Sequence, residues 1–351
     1  MEIFEKLKQG EYENLILCHD RDSGLKAVIA IHDTSLGPAL GGCRMWNYST
    51  EEDAIIDVMR LAKAMTYKSA MAEIKHGGGK AVIIGDPNKD KSSSLFKAFG
   101  KFVNRLNGLY ITAEDVGIRP EDIEQISQTT SFTVGKPVSK GGSGSPSWAT
   151  AFGVFNGIKA CLKFVYGSEN LTGIPIVIQG VGSVGYDLAR YLAENRADLY
   201  ISDIDKEKAK KIAHLLKTKV CDPDEIFDID CTVFSPCALG GIINDETIPR
   251  LKCKIIAGAA NNQLLEERHG EVLHEKGILY APDYVINAGG LINVSEKLVG
   301  YSRDRVTGKV KRISDRLSHL FKVSKAGGIS TLSAANRIAE QRIEEARLRK
   351  N

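Results

Sequence analysis

Apolar and polar positions follow two different rhythms along the first third of the chain. The short apolar runs LILC (15–18) and KAVIAIH (26–32) flank the turn DRDSG, a pattern that predicts a β-hairpin. Residues 49–67, STEEDAIIDVMRLAKAMTY, place apolar side chains at helical intervals and open with Ser49 three residues before Glu52, the spacing of a capping box. KAVIIGD, SLFKAFGKFVNRLNG and LYITAED then read as strand, helix and strand. These alternations predict an α/β domain over residues 1–135.

From 135 to 147, GKPVSKGGSGSPS, periodicity disappears, and residues 136–147 read as a linker or hinge. Beyond it, SWATAFGVFNGIKACLKF is helical, IPIVIQG is a buried strand, VGSVGYDLARYLAEN is a helix opened by glycines, and ADLYISDID is a strand. Helices and strands recur through KEKAKKIAHLLK, DCTVFSPC, DETIPRL (read as helix) and CKIIAGAA, which predicts a doubly wound parallel sheet over residues 148–330. The last segment, 331–351, carries Leu332, Ala335, Ile338 and Ile343 on a helical period and is expected to dock on another domain or subunit.

Length and charge narrow the picture. A chain of 351 residues exceeds what one hydrophobic core usually serves, so two domains are expected. The 47 basic and 44 acidic side chains leave +3, which points away from nucleic acid and anionic membranes and toward small-molecule chemistry. The opening MEIFEKLKQGEYENL has no signal-peptide pattern and no later run is long enough to span a bilayer, so a cytoplasmic location is expected. Seven cysteines without a CxxC predict neither a disulfide framework nor a metal site. Cys237 reads as a packing residue rather than a nucleophile.

Two glycine-rich stretches need separate explanations. Gly180, Gly182 and Gly185 form G-x-G-x-x-G between a strand and a helix, the context in which that motif cradles a pyrophosphate. Asp203 closes the next strand, where a carboxylate accepts hydrogen bonds from the adenine ribose hydroxyls, favouring NAD over NADP; Lys206 is the nearest basic residue in sequence. Gly77–Gly79 precede Lys80 but lack the serine or threonine of a phosphate loop, and Lys80 begins a strand rather than a helix. A lysine held by glycines close to a substrate would be equipped for proton transfer, the alternative being a surface lysine after a turn. Lys68 in MTYKSA, Asp115 in ITAEDVG and the GGCRM segment complete a candidate amino-acid site in the same domain.

KAVIAIHDTSLGPALGGCRMW, MTYKSA, GGGKAVIIGDP, LNGLYITAEDVG, PCALGGIIND, IAGAANNQL and APDYVINAGGLINV resemble, segment after segment, the NAD-dependent leucine dehydrogenases and their phenylalanine and valine relatives. The resemblance implies reversible oxidative deamination of an L-amino acid to its 2-oxo acid, with ammonium and NADH. It further implies an N-terminal substrate and oligomerisation domain separated by a cleft from a Rossmann-type NAD domain, a C-terminal helix returning to the first domain, and a homo-oligomer. By resemblance, Lys68 pairs with the substrate carboxylate, Lys80 activates water, and Asp115 exchanges protons with the amino group. Leu40, Gly41, Gly42, Ala113, Asn262, Leu291 and Val294 would surround the substrate. Thr150, Gly180, Val181, Gly182, Ser183, Val184, Gly185, Asp203, Cys237, Ala238, Gly258, Asn262 and Asn287 would hold NAD.

The substrate signals are mixed. Ala113 resembles leucine-using members, whereas Leu291, Cys43 and the GGSG of the linker are closer to phenylalanine-using ones. Glu73, Lys75, His76 and Trp148 depart from the family pattern. If Lys75 and His76 face Lys80, a catalytically weak NAD-binding regulator becomes the competing expectation.

Overall fold

The computed structural model describes residues 2–136 and 145–350, so most of the expected hinge, 136–147, lies outside the described residues. The chain divides into two compact units: Met1–Ser145 with Val294–Tyr301 and Ala339–Asn351, and Pro146–Asn293 with Ser302–Ile338.

The first unit is built on a five-stranded sheet. After helix α1 (Ile3–Gly10), the expected hairpin forms from β1 (Asn14–Asp20) and β2 (Leu25–Asp33), paired antiparallel. β3 (Ala39–Trp46), β4 (Gly77–Ile84) and β5 (Tyr110–Glu114) complete it in the order β1-β2-β4-β3-β5, with β4, β3 and β5 mutually parallel. Alternate side chains of β2 serve two cores. Ala27, Ile29 and Ile31 join Met45, Phe99 and Tyr110 on the face covered by α3 (Ser93–Arg105) and α4 (Pro120–Ile126). Val28 and Ala30 join Val58, Ala62 and Val82 beneath α2 (Glu51–Ala72).

The start of α2 corrects the sequence expectation by one residue. Thr50, not Ser49, is the N-cap: its hydroxyl accepts from the Asp53 N–H at 3.0 Å, and the Asp53 carboxylate accepts from the Thr50 N–H at 3.1 Å. An aspartate at the third helical position therefore plays the part expected of Glu52.

The glycine run is explained by packing. A Cβ on Gly78 would lie 2.1 Å from Thr66 Oγ1 and 2.2 Å from the Thr66 nitrogen. A Cβ on Gly41 would lie 1.7 Å from the Gly79 carbonyl oxygen. Helix α2 thus sits directly on the β4 backbone, and Lys68 is two residues beyond that contact.

The second unit is an all-parallel sheet. β6 (Pro175–Gln179), β7 (Asp198–Ser202), β8 (Lys219–Val220), β9 (Val233–Pro236), β10 (Ile255–Ile256) and β11 (Leu279–Tyr280) lie in the order β11-β10-β9-β6-β7-β8. The chain winds outward from β6 in one direction and from β9 in the other, the doubly wound arrangement expected. Helices α5 (Ser147–Tyr166), α6 (Ser183–Glu194), α7 (Lys206–Leu216) and α8 (Arg268–Glu275) accompany it. DETIPRL, expected as a helix, is a turn. Pro249 interrupts any helical ladder there, and the Thr247 hydroxyl donates to the Ile242 carbonyl at 2.6 Å. Further along come α9 (Asp283–Ile286), α10 (Gly289–Ser295), α11 (Arg303–Lys311), α12 (Ile313–Gly327) and α13 (Thr331–Lys350). The last turns of α13 belong to the first unit, where Arg347 pairs with Asp33 at 2.9 Å.

Candidate active site

In the first unit, β3, β4 and β5 bring three of the expected groups together. Lys80 is 4% exposed on β4, and its Nζ donates to Oδ2 of Asp115, one residue past β5. Ala113 pairs with Gly42 across the β5–β3 ladder, and Gly41 with Thr112. Leu40 and Ala113 are buried. Lys68 is half-buried on α2.

Arg44, which the sequence reading left without a role, is the third member of the cluster. Its Nε donates to Asp115 Oδ1 at 3.1 Å and its Nη1 to Asp57 Oδ2 at 2.9 Å. Asp57 also accepts from the Tyr48 hydroxyl at 2.7 Å and from Arg60 at 2.9 Å. Burial alone would raise the Asp115 carboxyl, but the charges of Lys80 and Arg44, with hydrogen bonds from Lys80 and the Val116 N–H, overcome it and hold the group at about 2, below its ordinary 3.8. A detectable signal was present: an arginine inside the buried strand ALGGCRMW demands partners.

The departing residues lead elsewhere. Glu73, in the left-handed position that ends α2, pairs with Arg342 of α13 at 3.0 Å. Lys75 lines a groove with Arg342, Glu345 and Arg349. His76 lies 3.3 Å from the Pro38 carbonyl oxygen, and burial lowers its pKa despite that hydrogen bond. The contacts found for these residues are with α13 and with the Pro38 carbonyl.

In the second unit, the glycine loop lies between the C-terminal ends of β6 and β9, where the winding direction switches and such sheets bind ligands. Its three glycines answer three different demands. Gly180 adopts φ +90° with Ala238 beside it, where a Cβ would come within 2.7 Å of the Ala238 Cβ. A Cβ on Gly185 would lie 2.0 Å from the Gly180 carbonyl oxygen, so this glycine lets α6 pack on the loop. At Gly182 a Cβ would meet nothing within 4 Å among the described residues. That space opens at the N-terminus of α6, which carries no side-chain cap, leaving amide donors for an anion.

Asp203 Oδ2 accepts from the Val181 N–H at 2.9 Å, and Oδ1 accepts from the Asp205 N–H at 3.1 Å. Burial works to raise its carboxyl, yet these hydrogen bonds and Lys208 hold it below its ordinary value, so it is an anionic acceptor. Asp205, not Asp203, caps α7. The cation beside Asp203 is Lys208, at 3.6 Å, whereas Lys206 pairs with Asp222 at 2.6 Å. Two positions along the helix explain the correction, because Lys206 opens α7 and Lys208 projects about 200° further round it.

Val181 is buried, Val184 half-buried and Ser183 exposed along the same loop and helix. Cys237 and Ala238 follow β9, and burial pushes the Cys237 thiol up, contrary to what a nucleophile needs. Gly258 lies against Pro236, and Thr150 donates to the Pro146 carbonyl at 3.2 Å. Asn262 adopts φ +51°, its N–H donating to Asp283. Asn287 is 3% exposed; its Nδ2 donates to the Ala259 carbonyl at 3.1 Å and to Asn261 Oδ1 at 2.9 Å, while its Oδ1 has no partner among the described residues. Leu291 and Val294 are one turn apart on α10.

The open Gly182, the uncapped helix, the anionic Asp203 and the unsatisfied Asn287 oxygen fit a dinucleotide. The class defined by this fold and site is a dinucleotide-dependent dehydrogenase. Residues 13–132 match the family model "Glu/Leu/Phe/Val dehydrogenase, dimerisation domain", and residues 199–350 match "Glutamate/Leucine/Phenylalanine/Valine dehydrogenase". The leucine dehydrogenase of Geobacillus stearothermophilus is 52% identical over 347 residues, covering 99% of this chain and 95% of the relative. The phenylalanine dehydrogenase of Caldalkalibacillus thermarum is 49% identical, covering 95% and 92%. The crystal structure of L-tryptophan dehydrogenase from Nostoc punctiforme superposes with a TM-score of 0.87 at 45% identity, covering 98% of this chain and 99% of that one. The chain belongs to the Glu/Leu/Phe/Val dehydrogenase family. It is an NAD-dependent amino-acid dehydrogenase catalysing reversible oxidative deamination.

Proposed function

We propose that the substrate is a branched-chain L-amino acid, L-leucine foremost, and that Lys68, Lys80 and Asp115 act on it. The observation that carries this assignment of roles is the ion pair between buried Lys80 and Asp115, which follows β5 two residues after Ala113. Lys68 receives the substrate carboxylate. Asp115, ionised and held in place, takes a proton from the amino group. Lys80 stabilises the negative charge that develops on the oxygen of the carbinolamine when water adds to the imine. NAD+, when bound, would supply the acceptor for the hydride of the α-carbon. Gly180 to Gly185, Asp203, Ala238, Gly258, Asn262, Asn287 and Thr150 hold the dinucleotide. The chain works as a cytoplasmic homo-oligomer, with residues 1–135 and the end of the C-terminal helix as its substrate and assembly part.

By resemblance, Leu40 and Ala113 of the first unit and Leu291 and Val294 of α10 are the residues that select the substrate side chain. An aromatic substrate is the alternative that Leu291 favours. Cys43 does not support it, because its side chain is fully buried in the core with Ile29 and Phe99. Ala113→Gly tests the pocket by opening room for a ring. A methyl group in such a site is worth about 1–3 kcal/mol. The ratio of kcat/KM for L-phenylalanine to that for L-leucine should rise about tenfold or more; an unchanged ratio would remove Ala113 from the pocket.

A further inference from the structure

Asp115 stands just beyond β5, in a turn closed by the Ile118 N–H donating to its carbonyl at 2.9 Å. A carboxylate so placed can rotate, exchanging two chemically equivalent oxygens, and proton exchange with an amine needs one oxygen in one place. Here the two oxygens are held by different cations from different strands. Oδ2 faces Lys80 of β4, and Oδ1 receives Nε of Arg44 from β3 at 3.1 Å.

Arg44 is itself fixed. Its Nη1 is bound to Asp57 Oδ2 at 2.9 Å, and that oxygen also accepts from Tyr48 at 2.7 Å, while Asp57 Oδ1 accepts from Arg60 at 2.9 Å. The side chains of Arg44, Asp57 and Asp115 are 21, 15 and 22% exposed, so the chain of contacts is largely shielded from solvent. Arg44 cannot follow Asp115 through a rotation without breaking its bond to α2. A planar guanidinium bridging two carboxylates does what a point charge cannot.

We propose that Arg44 is a positioning residue for the reaction: it pins Oδ1 of Asp115, so that Oδ2 alone exchanges the proton when Lys80 turns to the substrate. In that step an N–H bond of the amino group breaks, its electron pair stays on nitrogen, and the proton forms an O–H bond at Oδ2. The proposal rests on the roles given above to Lys80 and Asp115. It adds that the Asp57–Arg44 pair ties the strand end carrying Asp115 to the helix carrying Lys68.

The test uses the full-length enzyme with Arg44→Ala, Arg44→Lys and Asp57→Asn beside Lys80→Ala and Asp115→Asn. Misplacing a reacting group by about 1 Å costs up to roughly a hundredfold. Arg44→Ala should therefore lower kcat by about ten- to a hundredfold, with KM for the amino acid and Kd for NADH within about threefold of wild type. Guanidinium ion added at millimolar concentration should restore part of that kcat. Arg44→Lys, which keeps the charge but loses the bridge, should remain impaired, and Asp57→Asn should fall between it and wild type. If Arg44→Ala proves unfolded, the last two variants carry the test. A folded Arg44→Ala with wild-type kcat, or an Arg44→Lys of full activity, would overturn the proposal while leaving Lys80 and Asp115 in place. Near-normal turnover in Lys80→Ala and Asp115→Asn would overturn the site reading beneath it.

Discussion

Two alanine substitutions three residues apart in one motif should fail in opposite ways. At Gly182 the backbone has φ −64°, an ordinary value for alanine, and the added methyl meets no atom of the described residues within 4 Å. Folding should be unharmed, or favoured by about 0.4–1 kcal/mol through the less flexible unfolded chain. The methyl instead occupies the space assigned to the pyrophosphate. Overpacking of that kind costs about 1–3 kcal/mol, which weakens NADH binding roughly five- to 150-fold. Gly185 is the reverse case. Alanine gains about 1 kcal/mol of helix propensity there, but its Cβ would stand 2.0 Å from the Gly180 carbonyl oxygen, a backbone atom with no rotamer to adopt. The clash should exceed the gain and lower the unfolding midpoint, at about 2–4 °C per kcal/mol for a domain of this size. Fluorescence titration with NADH and thermal unfolding, run on both variants, separate the effects. A Gly182→Ala enzyme that binds NADH with wild-type affinity would refute the placement of the pyrophosphate.

Gly78→Ala should destabilise the first unit by about 1–3 kcal/mol, read by denaturant unfolding, because its Cβ would strike the Thr66 backbone and push α2 off β4. Asp115 sits below its ordinary carboxyl value in the folded chain, so its contribution is complete above about pH 4 and disappears as pH falls through about 2. A drop from 3.8 to about 2 corresponds to about 2 kcal/mol. Wild type should lose about that much more stability than Asp115→Asn between those pH values, and equal losses in urea titrations would contradict the ion-pair account.

Where the sequence pattern was strong, it located the structure. The hairpin and the parallel strands β6, β7 and β9 follow from short apolar runs, α2, α3 and α6 follow from the 3.6 period, and the glycine fingerprint marks the close approaches of Gly180 and Gly185. β3 was harder to see, because ALGGCRMW has two glycines where a strand usually shows branched residues. The cap of α2 slipped by one residue because Ser49, Thr50, Glu52 and Asp53 offer two registers of the same motif. The partners of Arg44 and Glu73 were not legible, since Asp115 is 71 and Arg342 is 269 positions away. A charged residue in a buried strand announces that it has a partner without saying which. For the same reason Lys80 could be assigned a chemical role from its glycines, but Arg44 could not be assigned the other oxygen of Asp115.

The central claim is most directly tested by following NADH absorbance as the purified protein and NAD+ are supplied in turn with L-leucine, L-isoleucine, L-valine, L-phenylalanine, L-tryptophan and L-glutamate, with NADP+ in parallel. The account predicts fast NAD+-dependent turnover of the branched-chain substrates, slower turnover of the aromatic ones, and little with NADP+. An aromatic preference would contradict the reading of Ala113, and NADH binding without turnover of any substrate would contradict the roles given to Lys80 and Asp115.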